Sequence, residues 1–325
     1  MNTLWQPRSA CGPDCLPGAG ETPEVSRLRR AGRLTALFGA LLFGALLLPV
    51  LPVLPPAGRQ AGGRWWARLV LGSLGITLRV RGRLPRRRAL LAANHISWLD
   101  IMATLAVAPA RMLAKQEVRQ WPLIGPLASA GGTIFVNRGR PRALPRTVAL
   151  VAEALRADRV VAVFPEGTTW CGKPREASDC PAGGRFRPAM FQAAIDAGAP
   201  VVPLTISYRT GPGRDGTTAA AFLGDDSLWV SLQRVIAVRG LSITVTAAPA
   251  LHPEESASRR RLAQAAESAV RLAGPLAHRP ATRVEPVLPL PVPVTLVVPS
   301  NAASVPALPV STSVGAPPPG LDLAA

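Results

Sequence analysis

Between Ile76 and about Gly274, short apolar runs alternate with longer amphipathic stretches, and this rhythm restricts the chain to one broad architecture. The runs Ile76–Val80, Ala89–Ala93, Thr133–Val136, Val160–Phe164, Val201–Ser207 and Leu241–Thr246 predict strands. Leu99–Val107, Ala143–Ala157, Pro188–Ala197 and Glu254–Ala273 carry helical spacing. A strand that is apolar on both faces, as Ala89–Ala93 is, has to be covered on both sides. The expectation is an α/β domain with a largely parallel central sheet flanked by helices. In such a sheet, chemistry collects in the loops beyond the carboxyl ends of the strands.

One of those loops is Asn94-His95-Ile96-Ser97-Trp98-Leu99-Asp100. Of the three histidines, His95 has a carboxylate five residues on, whereas His252 and His278 do not. A basic imidazole needs a partner that fixes its tautomer and stabilises the cation it becomes, and Asp100 can supply both. Five residues along one continuous helix is about 140° around its axis, so the pair cannot share a face of a straight helix. His95 is therefore placed in the loop, with Ser97 as helix N-cap and Asp100 in the first turn. Asp100 can equally reach back to the Ser97 backbone in a capping box, and the spacing leaves both readings open.

A second loop follows Val160–Phe164 and reads Pro165-Glu166-Gly167-Thr168. In a parallel sheet it opens on the same edge as His95, although about 70 residues separate the two segments. Glu166 is a candidate to bind the hydroxyls of a substrate, or to hold its loop by accepting backbone N–H groups. Gly167 lets backbone approach a ligand or makes a tight turn. Thr168 can donate a hydrogen bond or cap the next segment.

These residues carry a resemblance to the glycerolipid acyltransferases, most closely the bacterial 1-acyl-sn-glycerol-3-phosphate acyltransferases. Four ordered blocks match: Asn94-His95 to Asp100, Gly132 to Arg138, Phe164 to Thr168, and Val201 to Leu204. The first and third are the specific ones. The chain departs from the family where Thr169-Trp170-Cys171-Gly172 stands in place of the usual Arg-Ser, and where Leu204 replaces a frequent valine. The first departure bears on the choice of acceptor. The resemblance assigns Arg138 to the acceptor phosphate, which a guanidinium grips through paired charge-assisted bonds. It also points to Lys115 as a second phosphate contact.

The reaction implied is transfer of a fatty acyl group from acyl-CoA or acyl carrier protein to the sn-2 hydroxyl of 1-acyl-sn-glycerol-3-phosphate, giving phosphatidic acid. The sequence has no Gly-x-Ser-x-Gly elbow, and no cysteine pairs with a histidine, so direct transfer is expected, with no covalent acyl-enzyme. His95 is the base and Asp100 orients it. No cofactor beyond the acyl donor is expected. The alternatives are an acyltransferase for lyso-ornithine lipid or another lysolipid and, in a different class, a non-catalytic basic membrane protein that binds lipid.

The formal charge of +18 points to an anionic partner. Only Lys115 and Lys173 are lysines, so the charge is nearly all arginine, which suits phosphate. Nucleic acid is not expected as a partner, since aromatics make up 5% of residues and no nucleic-acid-binding signature occurs. Cys11, Cys15, Cys171 and Cys180 show no metal-ligand spacing and are read as free thiols, with no metal expected.

Residues 1–33 are polar, rich in Pro, Gly and Arg, and read as a flexible basic arm. Residues 34–74 read as membrane-anchoring helices. Leu34 to Leu54 is 21 residues without a charge, interrupted by Pro49 and Pro52, and so reads as a kinked span or a half-inserted anchor. Trp65-Trp66 suits the headgroup zone of a bilayer. No small-x-small cleavage site follows the run before Pro55-Pro56, which argues against a cleaved signal peptide. Because thioester donors are cytosolic, a catalytic domain over 75–279 is expected on the cytoplasmic face of the cell membrane. Residues 280–325, proline-rich and nearly uncharged, are expected to be a disordered tail.

Overall fold

A computed structural model describes residues 7–18, 20–122, 124–137, 139–173, 183–211, 216–224, 226–254 and 256–276. The expected Pro-rich tail and Arg138 lie outside them.

Among the described residues, seven strands make one sheet: β1 Thr77–Arg81, β2 Ala89–Ala93, β3 Ala110–Lys115, β4 Ile134–Val136, β5 Val160–Val163, β6 Val201–Thr210 and β7 Leu241–Ala247. Their order is β1-β7-β6-β2-β5-β3-β4, and every neighbouring pair is parallel except β6 with β7. The central strand β2 is buried along its whole length. Leu91 and Ala93 face one apolar layer, and Leu90 and Ala92 face the other, as the two-residue period requires.

The helices are α1 Arg27–Leu47, α2 Pro56–Ser73, α3 Leu99–Val107, α4 Ile124–Ala130, α5 Leu144–Arg156, α6 Ala189–Asp196, α7 Leu228–Ala237 and α8 Arg259–Leu276. Residues of α1, α2, α3 and α7 pack in the first layer, and those of α5, α6 and α8 in the second. The sheet is thus covered on both faces, which is what its apolar strands demand.

Several details differ from the sequence reading. β3, α4 and α7 were not foreseen. Residues 34–74 hold the end of one helix, a turn and a second helix, and the apolar run Leu34–Leu54 ends before the second begins. α1 starts at Arg27 and stops at Leu47, since Pro49 cannot continue it, and α2 begins with Pro56 at its first position. The two helices are joined by side chains: Trp66 Nε1 donates to the Ala40 carbonyl at 2.9 Å, and a Cβ on Gly44 would lie 2.5 Å from the Trp66 indole nitrogen. Nor are residues 7–26 a loose arm. Cys11 is buried, and the Val25 N–H donates to the Ala237 carbonyl at 2.9 Å while the Arg239 N–H donates to Pro23 at 2.7 Å. These long-range bonds replace the solvation that a polar sequence otherwise needs.

Candidate active site

The register of the sheet brings the two loops together. Ala92 on β2 pairs with Val163 on β5, so residues three further along each strand, His95 and Glu166, stand side by side beyond the same edge. Asn94 extends the ladder past the end of β2: its Nδ2 donates to the Ile206 carbonyl at 3.0 Å and its Oδ1 accepts from the Ile206 N–H at 2.7 Å. This rung fixes the direction in which the chain delivers His95. The His95 N–H then donates to Glu166 Oε2 at 2.7 Å, and the His95 carbonyl accepts from the Trp170 N–H at 2.8 Å. The imidazole stacks on Phe164, with ring centroids 4.1 Å apart and planes 12° from parallel.

His95 Nδ1 lies 2.9 Å from Asp100 Oδ2. That oxygen also accepts the backbone N–H groups of Ile96 at 2.6 Å and Ser97 at 2.8 Å, while Oδ1 accepts from the Tyr208 hydroxyl at 2.5 Å. The two readings left open for Asp100 are therefore one arrangement, in which the same carboxylate ties down the helix start and the imidazole. Trp98, not Ser97, occupies the N-cap of α3 and makes no side-chain cap bond, since an indole offers only a donor; Asp100 reaches back to the Ser97 N–H. With donors on every side, Asp100 acts as acceptor only, so Nδ1 carries the hydrogen and Nε2 presents its lone pair. The Asp100 side chain is fully buried and that of His95 is 18% exposed, which is the contrast expected of an orienting group behind a reacting one.

Tyr208, the sole tyrosine, was not foreseen as part of the site. On β6 it shares a face with Leu204 and Ile206, and that parity aims it inward. Burial, then the charge of Asp100, hold its phenol well above the usual tyrosine range, so it remains a donor. Tyr208→Phe should keep the fold and weaken only the hold on Asp100. A hydrogen bond to a charged group is worth about 1.5–3 kcal/mol, so a fall in kcat of about ten- to a hundredfold with little change in KM is the expected result of steady-state kinetics.

Glu166 is buried, and both of its oxygens face backbone: Oε2 accepts from His95, and Oε1 from the Gly184 N–H at 3.2 Å. This geometry supports the loop-holding role over direct contact with acceptor hydroxyls. Burial pushes its carboxyl up to about 8, against the pull of those two N–H groups and with a further push from the charge of Asp100. Between the ordinary carboxylate value and about 8, the folded chain holds a proton that the unfolded chain has released. Stability should therefore decline as pH rises through that window, by at most about 1.4 kcal/mol per pH unit from this group. Glu166→Gln should lose that component in denaturant titrations run at pH 5 and pH 8, and an identical pH slope in both proteins would contradict it.

Gly167 turns at φ +77°, and a Cβ there would lie 2.7 Å from Pro7 Cγ, so both the backbone and the space require glycine. Thr168 follows it, half-buried, and the Thr169 hydroxyl donates to the Phe222 carbonyl. Lys115 closes β3 on the same edge and is exposed. It stands two strands from β2, a lateral offset of roughly 10 Å. Arg138, two residues beyond β4, is outside the described residues, so its placement rests on the sequence. Among the cysteines, Cys11, Cys15 and Cys171 come together, and Cys180 is outside the described residues.

Comparison with known proteins agrees with this geometry. The family model described as Acyltransferase matches residues 76–207, a span that begins just before β1 and ends within β6. The chain is 36% identical over 260 residues to the lyso-ornithine lipid O-acyltransferase of Pseudomonas aeruginosa, covering 77% of this chain and 95% of that protein. It is 35% identical over 206 residues to the 1-acyl-sn-glycerol-3-phosphate acyltransferase of Neisseria meningitidis, covering 63% of this chain and 77% of that protein. The crystal structure of the 1-acyl-sn-glycerophosphate acyltransferase PlsC from Thermotoga maritima shares the fold, with a TM-score of 0.60 at 18% identity, over 78% of this chain and 96% of that one. With the His95–Asp100 and Phe164–Thr168 loops drawn to one sheet edge around an Asp-oriented imidazole, the chain belongs to the acyltransferase family and is an enzyme of that class.

Proposed function

We propose that the chain transfers a fatty acyl group from a thioester, acyl-CoA or acyl carrier protein, to the sn-2 hydroxyl of 1-acyl-sn-glycerol-3-phosphate, yielding phosphatidic acid at the cytoplasmic face of the cell membrane. The observation that carries this reading is the 2.9 Å contact of His95 Nδ1 with a buried Asp100 whose two oxygens accept from four donors. Nε2 takes the hydroxyl proton as the oxygen attacks the thioester carbon. The C–S bond then breaks, and the proton passes from the imidazolium to the departing sulfur. Lys115, from two strands away, and Arg138, from the loop after β4, are assigned to the phosphate. Gly167 and Thr168 line the acceptor side of the Glu166 loop.

A membrane location is supported by α1 and α2. Arginines fill the first two turns of α1, and Arg33 donates to the carbonyls of Ile236 at 2.9 Å and Val238 at 2.7 Å. The apolar part, Leu34 to Leu47, is fourteen residues. That is roughly 21 Å of helix against about 30 Å of hydrocarbon, which favours a half-inserted hairpin over a full span. Phe38, Leu42, Phe43 and Leu46 on α1, Val53 in the turn and Trp65 on α2 are all exposed. An exposed apolar patch of this kind is expected to meet lipid.

A second reading, with lyso-ornithine lipid as acceptor, is favoured by the relative of that name, 95% of whose length is covered. Parallel assays decide between them. Purified protein on vesicles holding either lysophosphatidate or lyso-ornithine lipid, with radiolabelled acyl-CoA, should form labelled phosphatidate at the higher kcat/KM, and only from protein that floats with the vesicles. Preference for the ornithine lipid would establish the second reading, and activity wholly in the unbound fraction would end the anchoring proposal.

A further inference from the structure

The loop that carries Glu166 also takes part in a second cluster, remote in sequence. Cys11 and Cys15 flank and close a 3-10 turn at Pro13–Cys15, and Cys171 lies five residues beyond Glu166. Their three sulfurs are all within 4.8 Å of one another, with Cys11 and Cys171 buried and Cys15 half-buried. The Cys171 backbone N–H donates to Cys11 Sγ at 3.3 Å. The chain turns sharply just after Cys171, at Gly172, where φ is +75° and a Cβ would lie 2.6 Å from Ile96 Cδ1. This packing fixes where the Cys171 sulfur points.

A buried cysteine alone is a small apolar side chain. Three sulfurs converging across 160 residues, with a backbone N–H aimed at one of them, form a ligand set for a soft divalent cation. A zinc–sulfur bond of about 2.3 Å sets sulfurs roughly 3.8 Å apart in a tetrahedron, within a small side-chain rotation of the spacing here. A disulfide engages two sulfurs and leaves the third without a role. We propose that Cys11, Cys15 and Cys171 bind a thiophilic divalent metal ion of the zinc class.

The ion has a structural role. It staples the segment ahead of α1 to the loop after Glu166, where Pro7 already rests on Gly167 and Trp170 bonds to the His95 carbonyl. The expectation of unpaired thiols came from reading the cysteines as two sequence pairs, whereas the fold assembles one of those pairs with a residue of the other. The proposal concerns protein sulfur and stands apart from the identity of the acyl acceptor.

The test uses the full chain, purified in detergent with a phosphine reductant and no chelator. Elemental analysis should find about one zinc per chain, a mercurial should release it, and cobalt added in its place should show sulfur-to-metal charge-transfer absorption. Cys15→Ala, the least buried position, should lose the metal, and its N-terminal segment should be cut faster by trypsin while that of metal-loaded wild type resists. The proposal is overturned if wild-type protein carries no thiophilic metal and binds neither zinc nor cobalt on titration. It is equally overturned if Cys15→Ala keeps a full equivalent, or if the intact mass of protein prepared in parallel without reductant shows a disulfide among these cysteines. Should Cys15→Ala fail to fold, the wild-type metal content and cobalt spectrum decide the matter alone.

Discussion

His95→Ala should lower the transfer rate by about 10²–10⁴ while leaving the fold and vesicle binding unchanged. The expectation follows from the contacts of the residue. Its backbone makes the bonds that hold the loop, to Glu166 and Trp170, and these survive truncation of the side chain. The imidazole contributes the stack on Phe164 and the bond to Asp100, and only Nε2 faces the reaction. Removing it takes away the proton acceptor and little of the structure. Single-turnover rates at saturating acceptor, set beside circular dichroism and vesicle flotation of the same preparation, check this. A rate within a few-fold of wild type would remove His95 from the mechanism.

Asp100→Ala should cost both activity and stability. Its carboxylate is the shared acceptor for His95 Nδ1, the N–H groups of Ile96 and Ser97, and the Tyr208 hydroxyl. Truncation leaves those donors buried without a partner and frees the imidazole to rotate or change tautomer. Breaking a buried charged network of this kind costs about 3–5 kcal/mol, and the transfer rate should fall nearly as far as in His95→Ala. Denaturant midpoints measure the first effect, and kcat at matched folded fraction measures the second. A stable variant with near-normal kcat would mean that Asp100 only caps α3.

The parts of this fold that could be read in advance are those where one physical demand dominates. β2 and β5 stand out because both faces are buried and nearly every residue is apolar. β3, reading Ala-Arg-Met-Leu-Ala-Lys, is buried at alternate positions at its start and carries two charges, so its period was lost in a short run. The direction of β7 was not legible either, since side-chain period is the same in parallel and antiparallel strands. The prolines that divide α1 from α2 were readable, but the packing of Trp66 on Gly44 was not, as it depends on two helices meeting.

The candidate site divides along the same line. His95 and Asp100 are close in the chain and share a local motif. Tyr208 reaches Asp100 only through the pairing of β6 with β2, and Asn94 shows its purpose only once Ile206 lies opposite. The meeting of Cys11 and Cys15 with Cys171 is likewise a product of tertiary structure, invisible to spacing.

The account rests on a hydroxyl of the acceptor attacking the thioester directly, with His95 taking its proton. Rapid-quench partition of a radiolabelled acyl-CoA, followed on the wild-type enzyme with vesicle-bound lysophosphatidate, tests that most directly. The label should pass straight into phosphatidate, with none held on the protein at any time. Label that accumulates covalently on the chain before product forms would contradict the account.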